Sequence, residues 1–162
     1  MTTVAQLLKS KADSAFHTID AAASVFEAIA SMSRNGIGAL VVTRGAEVCG
    51  IVTERDYARK VILQDRSSRS TQVDEIMSRA VRYVNPQQTS DECMALMAAH
   101  HIRYLPVIER GVLVGLVSIG DLVKNLIAEQ QFAIDQLEFY VHGEMQATRS
   151  SSHAAGRAIA LA

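Results

Sequence analysis

The chain has 162 residues, 49% hydrophobic and 20% charged, with a net charge of -1 and two cysteines. Its size supports one compact domain or two very small ones, and its near-neutrality argues against a general affinity for nucleic acid or anionic lipid. The apolar runs are far shorter than the roughly 20 residues a membrane span needs, and residues 2–13 lead into no secretory h-region, so a cytoplasmic protein is expected.

In chain order, a short strand around 17–19 precedes a helix over Val25–Asn35, with Ser24 as N-cap and Glu27 completing a capping box. An apolar run at 39–42, a turn at Gly45 and a β-branched run at 48–53 predict two strands, after which helical spacing returns. Residues 64–72 are polar and serine-rich and read as a surface linker. The pattern then recurs. A strand around 82–84 precedes a helix over Ser90–His100 capped by Thr89 with Glu92, followed by runs at 104–108 and 112–118 about Gly111. Ile119, Leu122, Val123, Leu126 and Ile127 resume helical spacing, and the pattern continues through Ile134, Leu137 and Val141 to an expected stop at His142-Gly143. An apolar stripe with Phe132, Leu137 and Tyr140 predicts a homodimer contact. Residues 144–162 are small, polar and then alanine-rich, and are expected to be disordered.

The recurrence is a duplication. Shifting the chain by 65 residues aligns 25–62 with 90–127 without a gap, and ten of the 38 pairs are identical, among them Gly50 with Gly115 and Asp56 with Asp121. The fold class is therefore α/β: two pseudo-twofold related strand-helix-strand-strand-helix units with an extended C-terminal helix. The boundaries are 5–63 for the first repeat, 64–72 for the linker, 73–129 for the second repeat, 130–143 for the helical extension and 144–162 for the tail. Units this small need each other's open faces, and the interface between them is a natural place for a ligand.

Each repeat carries one local motif where its second strand meets a helix: Gly50-Ile51-Val52-Thr53-Glu54-Arg55-Asp56 and Gly115-Leu116-Val117-Ser118-Ile119-Gly120-Asp121. A hydroxyl ending a strand and an aspartate three residues on point to one side. The carboxylate can accept two ribose hydroxyls, and the Ser or Thr hydroxyl with the first helical N–H groups suits phosphate. The same residues also make N-caps that need no ligand.

From about Ala5 to Glu129 the sequence resembles a tandem pair of cystathionine-β-synthase (CBS) domains. The duplicated motifs carry the resemblance, together with Ile37-Gly38-Ala39-Leu40-Val41-Val42 and Arg103-Tyr104-Leu105-Pro106-Val107-Ile108. It implies a regulatory, signal-transducing module that binds AMP foremost, or ADP, ATP, NAD or S-adenosylmethionine, with no metal required, and that forms homodimers. By position it places Asp56 and Asp121 on ribose, with Thr53, Ser118 and Gly120 near phosphate or base. Thr18 and Arg82 on the leading strands, with Ile37, Gly38 and Ala39 and with Ile102, Arg103, Tyr104 and Pro106, would line the adenine and phosphate regions. Arg103 faces only Gly38 as its counterpart, so the two sites are expected to differ, and Arg55 offers a second cation.

His100 and His101 are adjacent on a helix end and point about 100° apart, which fits a favourable charge at the C-terminus better than a metal site. With no catalytic residues apparent, the chain reads as a non-enzyme whose partners are a nucleotide and an unknown regulated protein, not nucleic acid or membrane. The alternatives are a ligand-free oligomerisation scaffold and a nucleotide-acting enzyme.

Overall fold

The computed structural model describes residues 1–11 and 16–159, with side chains described to Gly143. Helix α1 (Val4–Ser10) and strand β1 (Thr18–Asp20) precede α2 (Val25–Asn35), β2 (Ala39–Arg44), β3 (Glu47–Thr53) and α3 (Glu54–Lys60). Two 3₁₀ turns lead to α4 (Ser90–His100), β4 (Tyr104–Glu109), β5 (Val112–Ser118) and α5 (Ile119–Ile159). Met1–Leu122 form one compact unit that contains the first repeat and most of the second, and Val123–Ala162 form another.

The capping boxes at Ser24/Glu27 and Thr89/Glu92 are both made, each hydroxyl accepting the N3 amide and each carboxylate accepting the N-cap amide. Helix α2 ends on Gly36 at φ 62° and α4 on His101 at φ 53°, so the left-handed cap is held by a glycine in one repeat and a histidine in the other. The hairpins β2–β3 and β4–β5 match in register, with a bulge after Val42 in one and after Val107 in the other. Gly50 pairs with Val42 and Gly115 with Val107.

The leading strands differ. β1 runs parallel to β2 from Thr18 opposite Val41 to Asp20 opposite Thr43. The strand expected at 82–84 shrinks to one bridge, in which Val84 N–H donates to Pro106 O and Val84 O accepts from Ile108 N–H. Directly after it, Asn85 N–H turns to the Gln88 side chain and Pro86 has no N–H to give, so pairing cannot propagate.

Two apolar cores result, and each is closed by the segment that opens the other repeat. The first joins Val25, Ala28 and Met32 of α2 to Leu40, Val42 and Val52, and Val73, Ile76 and Met77 from beyond the linker complete it. The second joins Cys93 and Met97 of α4 to Leu105, Val107, Val117 and Leu122, and Val4 and Leu7 of α1 complete it. The N-terminal helix, grouped by sequence with the first repeat, therefore packs on the second. Burying aliphatic side chains of this size contributes about 1.5–3 kcal/mol each, so neither hairpin-helix set is self-sufficient. The segment 64–72 is anchored rather than loose: Phe26 N–H donates to Ser68 O, Val25 N–H to Thr71 O, and Thr71 is buried.

The C-terminal helix does not stop at His142-Gly143. Gly143 lacks the positive φ of a helix-ending glycine, and a single glycine costs a helix only about 1 kcal/mol, so α5 continues to Ile159. Of the tail expected to be disordered, 144–159 is thus helical backbone and 160–162 lie outside the described residues.

Candidate functional site

Both Gly-x-x-Thr/Ser-x-x-Asp motifs fold as capping boxes at a strand-to-helix junction. In the first, Asp56 Oδ2 accepts from Thr53 N–H and Thr53 Oγ1–H at 3.0 Å each, while Asp56 N–H donates to Thr53 Oγ1 at 3.2 Å. In the second, Asp121 Oδ2 accepts from Ser118 N–H and Oγ–H at 2.8 Å, and Asp121 N–H donates back at 3.2 Å. Each carboxylate also holds a lysine. Asp56 Oδ1 pairs with Lys60 at 2.9 Å, one turn along α3, whereas Asp121 Oδ2 pairs with Lys11 at 2.7 Å, brought in by the N-terminal segment. The lysines anchor further on carbonyls, Lys60 on Ile76 O and Lys11 on Leu116 O, both at 2.6 Å.

Burial pushes the Asp121 carboxyl up, but the Lys11 ammonium and the Ser118 donors outweigh it and hold the group below the usual carboxylate range. A carboxylate offers about four acceptor positions, so Asp56 keeps capacity for a ligand hydroxyl beside Thr53 and Lys60.

A cavity of about 530 Å³ lies between the repeats, within Met1–Leu122. One wall is Thr53 and the exposed edge of α3, and the other is the 101–106 segment of the second repeat, with Ser78 and Arg82 between them. Of the residues singled out by sequence, it gathers Gly38, Thr53, Arg55, Asp56, Arg82, Ile102, Arg103, Tyr104 and Pro106. Thr18, Ile37, Ala39, Ser118, Gly120 and Asp121 do not line it. Ala39 is fully buried, and Asp121 belongs to the other repeat's junction.

Sequence reading missed Ile51, Glu54, Arg59, Lys60, Ser78, Ala80, Val81 and His101. Arg59 and Lys60 were legible, because positions three and four after Asp56 share its helix face. Ser78 was not, since it reaches the cavity through the antiparallel bridge with Ile51, whose N–H donates to Ser78 O at 3.0 Å.

The cavity is cationic. Arg55, Arg59, Arg82, Arg103 and Lys60 face Glu54 and Asp56, and among the described residues none of the four guanidinium groups makes an ion pair or hydrogen bond. Unneutralised like charges around a partly enclosed space favour an anion, and planar guanidiniums suit phosphate.

Gly38 shapes one corner. A Cβ there would come 2.6 Å from Tyr104 Oη and 3.3 Å from Glu54 Oε2, so a side chain would displace the Tyr104 ring end from the cavity wall. Burial raises the Tyr104 hydroxyl pKa, Glu54 adds to it and Arg103 opposes it, which keeps the phenol a neutral donor. No group of histidine, cysteine or acidic residues among those described could hold a metal ion. Burial raises the Cys93 thiol to about 11, and no disulfide partner is in place for it or for Cys49.

Paired hairpin-helix units enclosing a cationic cleft define a tandem-repeat α/β module. The CBS domain family matches residues 6–62 and 73–128, and the chain belongs to that family. It is 38% identical over 150 residues to CBSX3, a mitochondrial CBS domain-containing protein of Arabidopsis thaliana, covering 88% of this chain and 73% of the relative. Among solved structures, a CBS-domain protein of Burkholderia ambifaria superposes with a TM-score of 0.77 at 58% identity, covering 80% of this chain and 96% of the other. A hexameric CBS-CP12 protein from bloom-forming cyanobacteria superposes with a TM-score of 0.68 at 28% identity, over 76% of this chain and 70% of the other. Among the described residues, no helix is long and apolar enough to cross a membrane.

Proposed function

We propose that the chain is a regulatory module that binds an adenine nucleotide, AMP foremost, in the cleft between its CBS repeats, without turning it over. The observation that carries this reading is the gathering, in a cavity of ligand size, of the Thr53–Asp56 junction and four arginines that have no ion-pair partner among the described residues. Asp56 would take a ribose hydroxyl in its remaining acceptor position, and Arg103, with Arg82, Arg55 and Arg59 around it, would take phosphate. ADP, ATP, NAD and S-adenosylmethionine are the other adenosyl ligands to be compared. The regulatory role is supported by the Burkholderia ambifaria relative, which carries the description of a signal-transduction protein. Cytoplasmic residence and a homodimeric state belong to the same proposal, although the Arabidopsis relative is described as mitochondrial and the cyanobacterial one as hexameric.

Calorimetric titration with adenosine and AMP tests the reading. AMP should bind more tightly than adenosine, and Arg103→Ala should cost AMP more affinity than it costs adenosine. At 100 times its dissociation constant AMP should stabilise the fold by about 2.7 kcal/mol, a melting rise on the order of 5–10 °C. One observation favours the scaffold alternative: the Thr53–Asp56 cap is complete without a ligand. No heat and no melting shift with any adenosyl compound at millimolar concentration would establish that alternative, and a product found after incubation would establish an enzyme.

A further inference from the structure

Beyond Leu122 the chain continues as one helix, and from residue 130 to 143 every side chain is exposed. A lone helix in water is marginal, and this one displays large apolar groups: Ile127 is 61% exposed, Leu137 65% and Val141 56%. Val123, Ile127, Gln130, Ile134, Leu137 and Val141 follow each other at alternating spacings of four and three. That is a heptad seam with β-branched Ile127, Ile134 and Val141 at the a positions and Val123, Gln130 and Leu137 at the d positions. At about 100° per residue the six fall within roughly 40° of one line along the helix. The half-buried Asn125 and Glu129 lie on the other side, as do the expected dimer contact Phe132 and its neighbour Phe139. The seam ends at Val141, because the next positions in the pattern are Glu144 and Thr148.

We propose that this seam docks antiparallel against the same seam of a second copy of the chain. Charge and shape select the occupant. With Ile127 opposite the second copy's Leu137, Ile134 opposite its Gln130 and Val141 opposite its Val123, every layer is filled. Antiparallel helices bring their e positions together, which sets Lys124 against the second copy's Glu138, and the twofold axis repeats the pair. The g positions add Leu126 against Tyr140. In the parallel arrangement the e positions would meet Leu126, Ala133 and Tyr140, so neither charge would find an opposite.

The test uses the full chain in sedimentation equilibrium at low salt. Lys124→Glu and Glu138→Lys should each weaken self-association about tenfold, since each replaces two attractive pairs by two repulsive ones, and combining them should restore it to within about twofold. A spin label at His142, in a Cys49→Ser background, should report roughly 30 Å between copies, set by 1.5 Å of rise per residue about the axis. Single-charge variants that associate like the parent, a double variant that does not recover, or a label separation below about 20 Å would each overturn the proposal. So would a dimer indifferent to both charges but lost on Phe132→Ser with Phe139→Ser, which would assign the contact to the opposite face. The nucleotide reading is independent of all these outcomes.

Discussion

The two repeats share a backbone and differ in what their strand-helix junctions do. In the first, Thr53 and Asp56 open onto a cavity ringed by Arg55, Arg59, Arg82 and Arg103. In the second, positions corresponding to Arg55, Arg59 and Lys60 are Gly120, Lys124 and Asn125, and Asp121 is held by Lys11 from the N-terminal segment. The duplicated frame carries different cations at its two junctions. The same carboxylate geometry thus pairs with a lysine of its own helix beside a ligand-sized space in one copy and with a lysine from the N-terminal segment in the other.

The sharpest way to break the comparison is at the glycines that let the closing segments approach. A Cβ at Gly50 would lie 2.5 Å from Met77 Sδ and 3.0 Å from Ser78 O, a carbonyl held in place by Ile51 N–H. At Gly115 it would meet only the Leu8 side chain, at 2.7 Å, on the short helix α1. Gly50→Ala should therefore cost about 3 kcal/mol and lower the melting temperature by roughly 6–12 °C, with Gly115→Ala costing about half as much. Thermal melts of the two variants decide it, and equal losses would show that α1 is held as firmly as the Met77–Ser78 segment.

Next in size is the ligand effect. Charge-assisted bonds to ribose are worth about 1.5–3 kcal/mol each, so Asp56→Ala should weaken AMP at least tenfold in calorimetry. Asp121→Ala should leave this cleft within about twofold of the parent, and similar losses in both variants would make the two junctions functionally equivalent. Circular dichroism of each variant separates lost binding from lost cap.

The smallest effect is a pH dependence. Because the folded Asp121 carboxyl lies below its unfolded value of about 3.9, its stabilisation is complete above that value and is lost as pH falls through the depressed folded pKa. Urea unfolding should show Asp121→Asn about 1 kcal/mol less stable than the parent at neutral pH, with the gap closing below about pH 4. A gap that stays constant down to pH 3 would mean that the Lys11 contact contributes nothing through charge.

The sequence by itself determined the duplication, the hairpin-helix order within each repeat and the capping boxes at Ser24/Glu27 and Thr89/Glu92, and its family resemblance pointed to nine residues that line the cleft. These are legible because capping, strand alternation and hairpin register depend on residues close in the chain. What the tertiary structure alone decided was which segments close which core, and hence where the cleft lies. Val4 and Leu7 lie at the start of the first repeat yet pack on the second, and Val73, Ile76 and Met77 open the second yet pack on the first. No local signal records that exchange, because an apolar side chain fits either of two homologous cores. The exchange delivers Lys11 to Asp121 and Ser78 to the Ile51 edge, and so separates two motifs that read alike in sequence. The helix end at Gly143 was misread for a related reason: a glycine stops a helix only where the chain must turn, and there α5 does not turn.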